Sequence, residues 1–499
     1  MWSLFEDEKE LLPLVFSNGK TQADIVKEVI EAVEQGNKVI FIKGACGTGK
    51  CLDKDTLVFC KPNNENYFSY YKICDLVGKE GRILSLNEKG KIVESQFKNV
   101  RETGEKEIFK LITKTGRQIL ASKNHPFLTI TETGLDWTPL EKLIKNSYVC
   151  LVNKTNLNNI LDYDENKVKI LAHLIAEGKL RDEGGSPVYT QDPTENPDTR
   201  QDYIESLIKV FPEGEIKQDK KDVKINFRIM DTRFGTTNKL RLFVREHGLD
   251  GKKSAEKFVP KIIFNLSNEK IATFLRVLYS GDGSIYSRRS KKRKQDQIII
   301  EYCSISDRLI RDISILLSRF GIQHTITSKK FREDNNYSKR IMISNQEQVR
   351  KFIEEIGFIG RKQKLALELY KETKSHKFTN IDKVPRIIRE YLKNKGYSYL
   401  QLDRFLNFET IEELRKDINY KKIRASNLIK TPKVFTQGKI DFLRLHLKKI
   451  NNHLKDEVLS FICEEDIVWD KIKFVESLNE DKTYDLEVEN SHNFIANGI

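Results

Sequence analysis

No stretch of the 499-residue sequence approaches the roughly 18 to 20 uninterrupted apolar residues of a membrane-spanning helix, so a soluble chain is expected. Residues 1–16 carry early acids at Glu6, Asp7 and Glu8 and lack a basic stretch followed by a long apolar one, which speaks against a secretory signal. The seven cysteines, at positions 46, 51, 60, 74, 150, 303 and 463, contain no CxxC pair. Neither a disulfide framework nor a zinc site is expected, and a reducing cytoplasm is the default compartment. Acidic residues fall short of basic ones, 73 against 87, and the resulting net charge of +14 favours a polyanionic partner without naming it. With 38% hydrophobic and 32% charged residues, wholesale disorder is excluded. The length fits about two to four domains.

What is present begins with an unfinished phosphate-binding loop. Residues 22–35 read as an amphipathic helix with Ile25, Val26, Val29, Ile30 and Val33 on one face, and residues 38–43 read as a buried strand. Gly44-Ala45-Cys46-Gly47-Thr48-Gly49-Lys50 then fits GxxxxGK, whose glycines let backbone N–H groups wrap a phosphate while the lysine meets the outer oxygens. The segment resembles the start of a helicase-type NTPase. That resemblance implies ATP with Mg²⁺ as ligand of the host protein, with Gln22 where such enzymes often place an adenine-reading glutamine. The next residue should be Ser or Thr and should open a helix, yet it is Cys51, followed by a strand-like run. No convincing strand ending in a Walker B acid pair follows. Something interrupts the ATPase inside its P-loop, and the rest of it is expected beyond this chain.

From Cys51 the pattern changes to short β-runs, TLVFC, RILSLN, KIVESQF, EIFKLIT and QILAS, separated by polar turns. CLDKDTLV at 51–58 resembles the first block of inteins, the self-splicing protein insertions. ASKNHPFLT at 121–129 resembles their second block, and YDLEVENSHNFIANG at 484–498 resembles the late block before the C-terminal splice junction. The chemistry follows from the residue types. Cys51 directly follows Lys50, so its sulfur reaches the Lys50 carbonyl through a five-membered ring and turns the peptide into a thioester. His125 would protonate the departing amide nitrogen, with the Ser122 hydroxyl orienting the scissile amide. Asp485 and His492 would assist later steps, as the resemblance implies. A Cys/His pair alone also fits a cysteine protease, but here the cysteine sits at the break in the P-loop. Inteins end in His-Asn followed by a host Cys, Ser or Thr, so a few residues past Ile499 are expected to carry these. The residues present suffice for a thioester at Lys50 and not for completing splicing.

Within 161–365 two apolar helical runs, ILAHLIAEG at 170–178 and LRVLYSGDG at 275–283, each end in an acid and a glycine. They resemble the paired LAGLIDADG motifs of homing endonucleases, with supporting text at 239–264, 316–322 and 352–364. Closely crossing helices need small residues, here Ala172 and Ala176 against Val277 and Gly281. Glu177 and Asp282 would then lie side by side and hold a divalent metal, expected to be Mg²⁺, against the scissile phosphates of double-stranded DNA. Lys257 matches the family's lysine that supports phosphate chemistry. The basic run from Arg288 to Lys294 reads as a hairpin for phosphate contact.

Residues 384–408 read as helix, turn and helix, with Tyr399, Gln401 and Arg404 placed to meet DNA. The fold expected is therefore multidomain: an all-β Hint splicing fold split in sequence around an α+β endonuclease and preceded by a fragment of an α/β P-loop NTPase. Its expected segments are 1–50, 51–160, 161–365, a helical accessory region at 366–463, and 464–499. The function expected is an intein-containing precursor of a helicase-like ATPase, self-splicing and cleaving DNA, monomeric and without a membrane partner. The alternative is an ATP-dependent DNA helicase carrying an inactive insertion.

Overall fold

The computed structural model describes residues 24, 27, 30, 31, 51–155, 161–180, 187–218, 224–229, 238–289, 296–330, 337–373, 385–398, 402 and 444–499. The P-loop residues Gly44, Gly47, Gly49 and Lys50, together with Gln22, lie outside the described residues, as do Tyr399, Gln401 and Arg404 and residues 290–295 of the basic run. Residues 24, 27, 30 and 31 are helical, as the spacing predicts, although Ile30 is 46% exposed rather than buried.

From Cys51 the chain forms β1 (Leu52–Asp53), β2 (Leu57–Pro62), β3 (Ser69–Lys72), β4 (Gly81–Leu86), β5 (Ile92–Thr113), β6 (Gln118–Ser122), β7 (Pro126–Thr131), β8 (Gly134–Pro139) and β9 (Tyr148–Val152). Two of the expected short runs, KIVESQF and EIFKLIT, are one strand of 22 residues. The turn expected between them is absorbed as irregularity: Asn99 and Gly104 take positive φ of 52° and 88° while the ladder continues past them.

The middle of the chain runs α1 (Glu165–Glu177), β10 (Gly178–Lys179), β11 (Val188–Thr190), α2 (Pro197–Val210), β12 (Gly214–Gln218), β13 (Lys224–Ile229) and α3 (Lys239–Glu246). It then runs α4 (Asn268–Gly281), β14 (Gly283–Arg288), β15 (Gln297–Ser304), α5 (Asp307–Arg319), β16 (Thr325–Lys330), β17 (Tyr337–Ile343), α6 (Gln346–Glu355) and α7 (Gly360–Thr373). The same helix-strand-strand order occurs twice, and the two four-stranded sheets, β10-β11-β13-β12 and β14-β15-β17-β16, share one strand order. The motif helices start where a side chain can satisfy a free N–H: Asp164 accepts from Lys167 at the head of α1, and Ser267 accepts from Lys270 at the head of α4. β14 and β15 pair in antiparallel register up to Arg288 and Gln297, so the first residue of the basic run ends a paired strand, while residues 290–295 lie outside the described residues.

The chain closes with α8 (Ile387–Asn394), α9 (Arg444–Leu454), α10 (Glu457–Ile462) and β18 (Ile467–Val488). β18 is again 22 residues long, uniting the expected IVWDKIKFVESL run with YDLEV, and it pairs along β5 with four register shifts. Strands from both ends of the sequence thus make one ten-stranded sheet in the order β3-β2-β4-β5-β6-β1-β18-β9-β7-β8.

Among the described residues three apolar cores hold these parts. One lies inside the β-sheet, around Leu52, Val58, Phe97, Leu111 and Leu486. A second fills the repeated unit and takes in Phe59, Phe68 and Leu84 from the sheet. A third joins Ile388, Tyr391 and Leu392 of α8 to Ile130 of β7 and to α9 and α10. At the seam of the first two, Asn265 accepts from the Phe68 N–H at 2.9 Å and donates to the Phe68 carbonyl at 2.7 Å, as a neighbouring strand would. Nearby, the turn after β5 meets β16: the Ile326 N–H donates to the Thr115 carbonyl at 2.7 Å, and the Arg117 guanidinium donates to Ser314 Oγ at 2.5 Å and His324 Nε2 at 3.0 Å.

Candidate functional sites

β1 is only two residues long, and it is held on both sides: Leu52 is in register with Ala121 of β6 and with Tyr484 of β18. Cys51, fully buried, stands at its start. Its carbonyl accepts from the Ser122 N–H at 2.9 Å, and the Ser122 carbonyl accepts from the His125 N–H at 3.0 Å, so a tight turn ties the cysteine to the histidine. The His125 ring packs on Phe127 with centroids 5.1 Å apart, and its carbonyl is fixed by the Leu140 N–H at 2.9 Å.

His125, Asp485 and His492 line one cavity of about 680 Å³, together with Leu52 beside the cysteine. Asp485 is buried, and its Oδ1 accepts from the Leu486 N–H at 2.9 Å. His492 takes a positive φ of 52° where the chain leaves β18. The last residues are fastened by two asparagines acting as strand mimics. Asn493 accepts from the Leu86 N–H at 2.8 Å and donates to the Leu86 carbonyl at 2.9 Å. Asn497 accepts from the Leu57 N–H at 3.1 Å and donates to the Gln118 carbonyl at 3.3 Å. Of the residues expected from the sequence, Ser122 and His125 are thus tied to the cysteine by the turn after β6, and His125, Asp485 and His492 share the cavity beside Leu52.

The cysteine sulfur has two neighbours that the sequence did not single out. Lys106 Nζ lies 3.0 Å from Cys51 Sγ and Thr103 Oγ1 lies 3.1 Å from it. Both come from the polar middle of β5, which reads as a turn in the one-dimensional pattern.

A second cluster forms where α1 and α4 cross. A Cβ added at Gly281 would lie 2.7 Å from Ala176 Cβ, so the small residues allow close approach at this level, as expected. The crossing brings the helix ends, Glu177 and Asp282, together. Crowding by protein raises the Asp282 carboxyl to about 6, and the neighbouring Glu177 charge adds to this, even though one face of Asp282 stays open to solvent. Burial also raises Glu177. Tyr302 donates to Asp282 Oδ2 at 3.4 Å.

Lys257 is buried, and its Nζ donates to the carbonyls of Leu174, Ile175 and Gly178 at 3.2, 2.7 and 2.8 Å. It therefore caps the end of α1 and meets the acids through its charge. Lys362, in the FIGRKQK text after the second motif, does the same for α4: its Nζ donates to Ser280, Gly281 and Gly283 at 2.7, 2.8 and 2.6 Å. Burial lowers both lysines, and the two acids oppose that shift. Only a duplicated reading of the motifs, extended to their lysines, would have found Lys362. Among the described residues no three His, Cys, Asp or Glu side chains gather as a metal-binding group. Two carboxylates at one point are a donor set for a hard cation that completes its shell with water and phosphate.

The chain is 27% identical over 408 residues to the replicative DNA helicase DnaB of Rhodothermus marinus, covering 80% of this chain and 40% of that one. It is 28% identical over 464 residues to the replicative DNA helicase DnaB of Nostoc sp., covering 90% and 48%. The chain therefore spans less than half the length of these relatives. Among solved structures it is similar to the G-1F mutant of the Ssp DnaB mini-intein variant M86, at 27% identity over 22% of this chain and 66% of that one, with a TM-score of 0.19. The family described as the intein splicing domain matches residues 63–499, eight of the ten strands of the sheet and everything inserted in it. By that match the chain belongs to the intein splicing domain family.

Proposed function

We propose that this chain is the interrupted part of a helicase-like ATPase precursor, and that it forms a thioester at the Lys50–Cys51 bond as the first step of protein splicing. The observation that carries this reading is the meeting of Cys51, the Ser122–His125 turn and Asp485 around one short strand, β1. Cys51 Sγ attacks the Lys50 carbonyl carbon. His125 delivers a proton to the Cys51 nitrogen as the C–N bond breaks, and Ser122 keeps the amide in line. Asp485 and His492, on the same cavity, serve the later steps. Reaction with a soluble thiol tests the reading. Dithiothreitol should release residues 1–50 from the purified chain and leave Cys51→Ala intact. Release from the alanine variant would reject the thioester.

The host reading rests on the GxxxxGK run at 44–50 and on the similarity to DnaB helicases. ATP with Mg²⁺ belongs to that host.

The second activity we assign is cleavage of double-stranded DNA by the paired ends of α1 and α4. Glu177 and Asp282 would hold Mg²⁺, which supplies Lewis-acid stabilisation of phosphate oxygens when bound. Lys257 and Lys362 hold the two helix ends in place and keep positive charge beside the acids. The test is cutting of an uninterrupted copy of the host gene in Mg²⁺, which should be lost in Asp282→Ala.

A further inference from the structure

We propose that Lys106 is a catalytic residue of the first step, its ammonium holding the Cys51 sulfur as the thiolate that attacks Lys50. The inference rests on the thioester reading and goes beyond it, since the cysteine otherwise has no named activator.

The first argument is donor arithmetic. A lysine ammonium has three N–H donors and no acceptor, so at 3.0 Å from Cys51 Sγ it can only offer hydrogen to the sulfur. Such a contact favours the charged sulfur over the neutral thiol. The second is burial. Cys51 has no exposed surface, so water cannot solvate a thiolate there, and a partner in the protein must.

The third is the competition for Lys106. Asp481 of β18 stands directly opposite it in the ladder and would be its natural ion-pair partner. That carboxylate is held instead by Lys54 Nζ, at 2.9 Å from both oxygens, and by the Lys482 N–H at 2.7 Å. Lys106 Nζ donates to the sulfur.

Thr103 completes the arrangement. Its hydroxyl lies 3.1 Å from Cys51 Sγ, 3.1 Å from the Thr483 carbonyl and 2.8 Å from Thr483 Oγ1, while Thr483 Oγ1 donates to the Gly104 carbonyl at 2.8 Å. Its one proton can therefore turn to Thr483 when the sulfur is a thiol and to the sulfur when it is a thiolate. The titratable groups on the elements paired beside the cysteine are Lys106 on β5, Asp481 and Asp485 on β18 and Asp53 on β1, with His125 in the turn after β6; of these, Lys106 touches the sulfur.

The step balances without a further reactant. The S–C bond to the Lys50 carbonyl forms, the Lys50–Cys51 C–N bond breaks, and the proton that left the sulfur ends on the Cys51 nitrogen.

The experiment uses the full 499-residue chain. Release of residues 1–50 by dithiothreitol is followed by mass spectrometry between pH 6 and pH 10. Lys106→Met should slow release by about ten- to a hundredfold at neutral pH and approach the parent rate in alkali. Lys106→Arg keeps the charge and should restore most of the neutral rate. A Lys106→Met profile that superimposes on the parent overturns the proposal. So does a slowing that is uniform at every pH and unrelieved by arginine, which marks a packing role. Circular dichroism checks the fold, and if methionine unfolds the chain, Lys106→Gln carries the same expectation. Failure of the thioester reading is distinguishable, because the unaltered chain would then release nothing, or Cys51→Ala would release as much.

Discussion

Lys362 stands to the end of α4 as Lys257 stands to the end of α1: each ammonium grips three carbonyls there, and the charge of each meets both Asp282 and Glu177. Lys362→Met removes those three hydrogen bonds and a charge that offsets two carboxylates. We expect a loss of about 2 kcal/mol, a modest figure because the lysine is partly open to water. The loss should be greater at pH 8 than at pH 5, where the acids are more protonated. Urea unfolding at the two pH values checks it.

The pH dependence of Asp282 has a definite sign. Its folded value is raised from 3.8 to about 6, so what it contributes to stability is fully present below pH 3.8 and lost as pH rises through 6. Asp282→Asn should therefore be more stable than the parent at pH 7.5, by roughly 1 kcal/mol after discounting for the open face, and indistinguishable near pH 4. Millimolar Mg²⁺ should raise the melting temperature of the parent and not of the variant.

The crossing of α1 and α4 leaves no room for a methyl group at Gly281. Gly281→Ala puts a carbon 2.7 Å from Ala176 Cβ, and an alanine Cβ moves only if its helix moves. A destabilisation of about 1 to 3 kcal/mol is expected, with much of it recovered in the double variant Ala176→Gly/Gly281→Ala. Thermal melts of the three variants make a complete double-mutant cycle.

Gly116 sits in the turn where the β-sheet meets β16, with φ of 90°, and a Cβ there would lie 2.0 Å from the Ile326 carbonyl oxygen. Because that obstacle is backbone, Gly116→Ala should loosen the seam that Arg117 and His324 share. Limited proteolysis should then cut the chain between the sheet and the repeated unit faster than in the parent. Equal rates would show that contacts outside this turn, the Asn265–Phe68 pair and the shared core around Phe59 and Leu84, hold the two together.

Much of both sites was legible because chemistry leaves local marks. A cysteine in place of the P-loop Ser or Thr, a Ser122–His125 spacing, and an acid with a glycine at the end of each apolar run can all be read along the chain. Lys106 and Thr103 were not legible for a physical reason. They lie in a charged, glycine-bearing run that resembles a turn, and only the pairing of β5 with β18 makes that run a strand and turns its side chains toward Cys51. Lys362 lay within text noted for its likeness to the endonucleases, yet its partners are carbonyls some eighty residues away, at offsets of 79 to 82. Backbone acceptors carry no sequence signature.

The inserted unit leaves β9 and returns to β18 at one hydrogen-bonded junction. Val152 is in register with Ile467, and the next two residues, Asn153 and Lys154, both donate to the Asp466 carbonyl, at 2.8 and 3.1 Å. Departure and return are thus neighbours in space, a hairpin's width apart, and a short turn would join them. A guest domain attached through such a neck can be acquired or shed by its host without re-threading a single strand of the sheet that receives it.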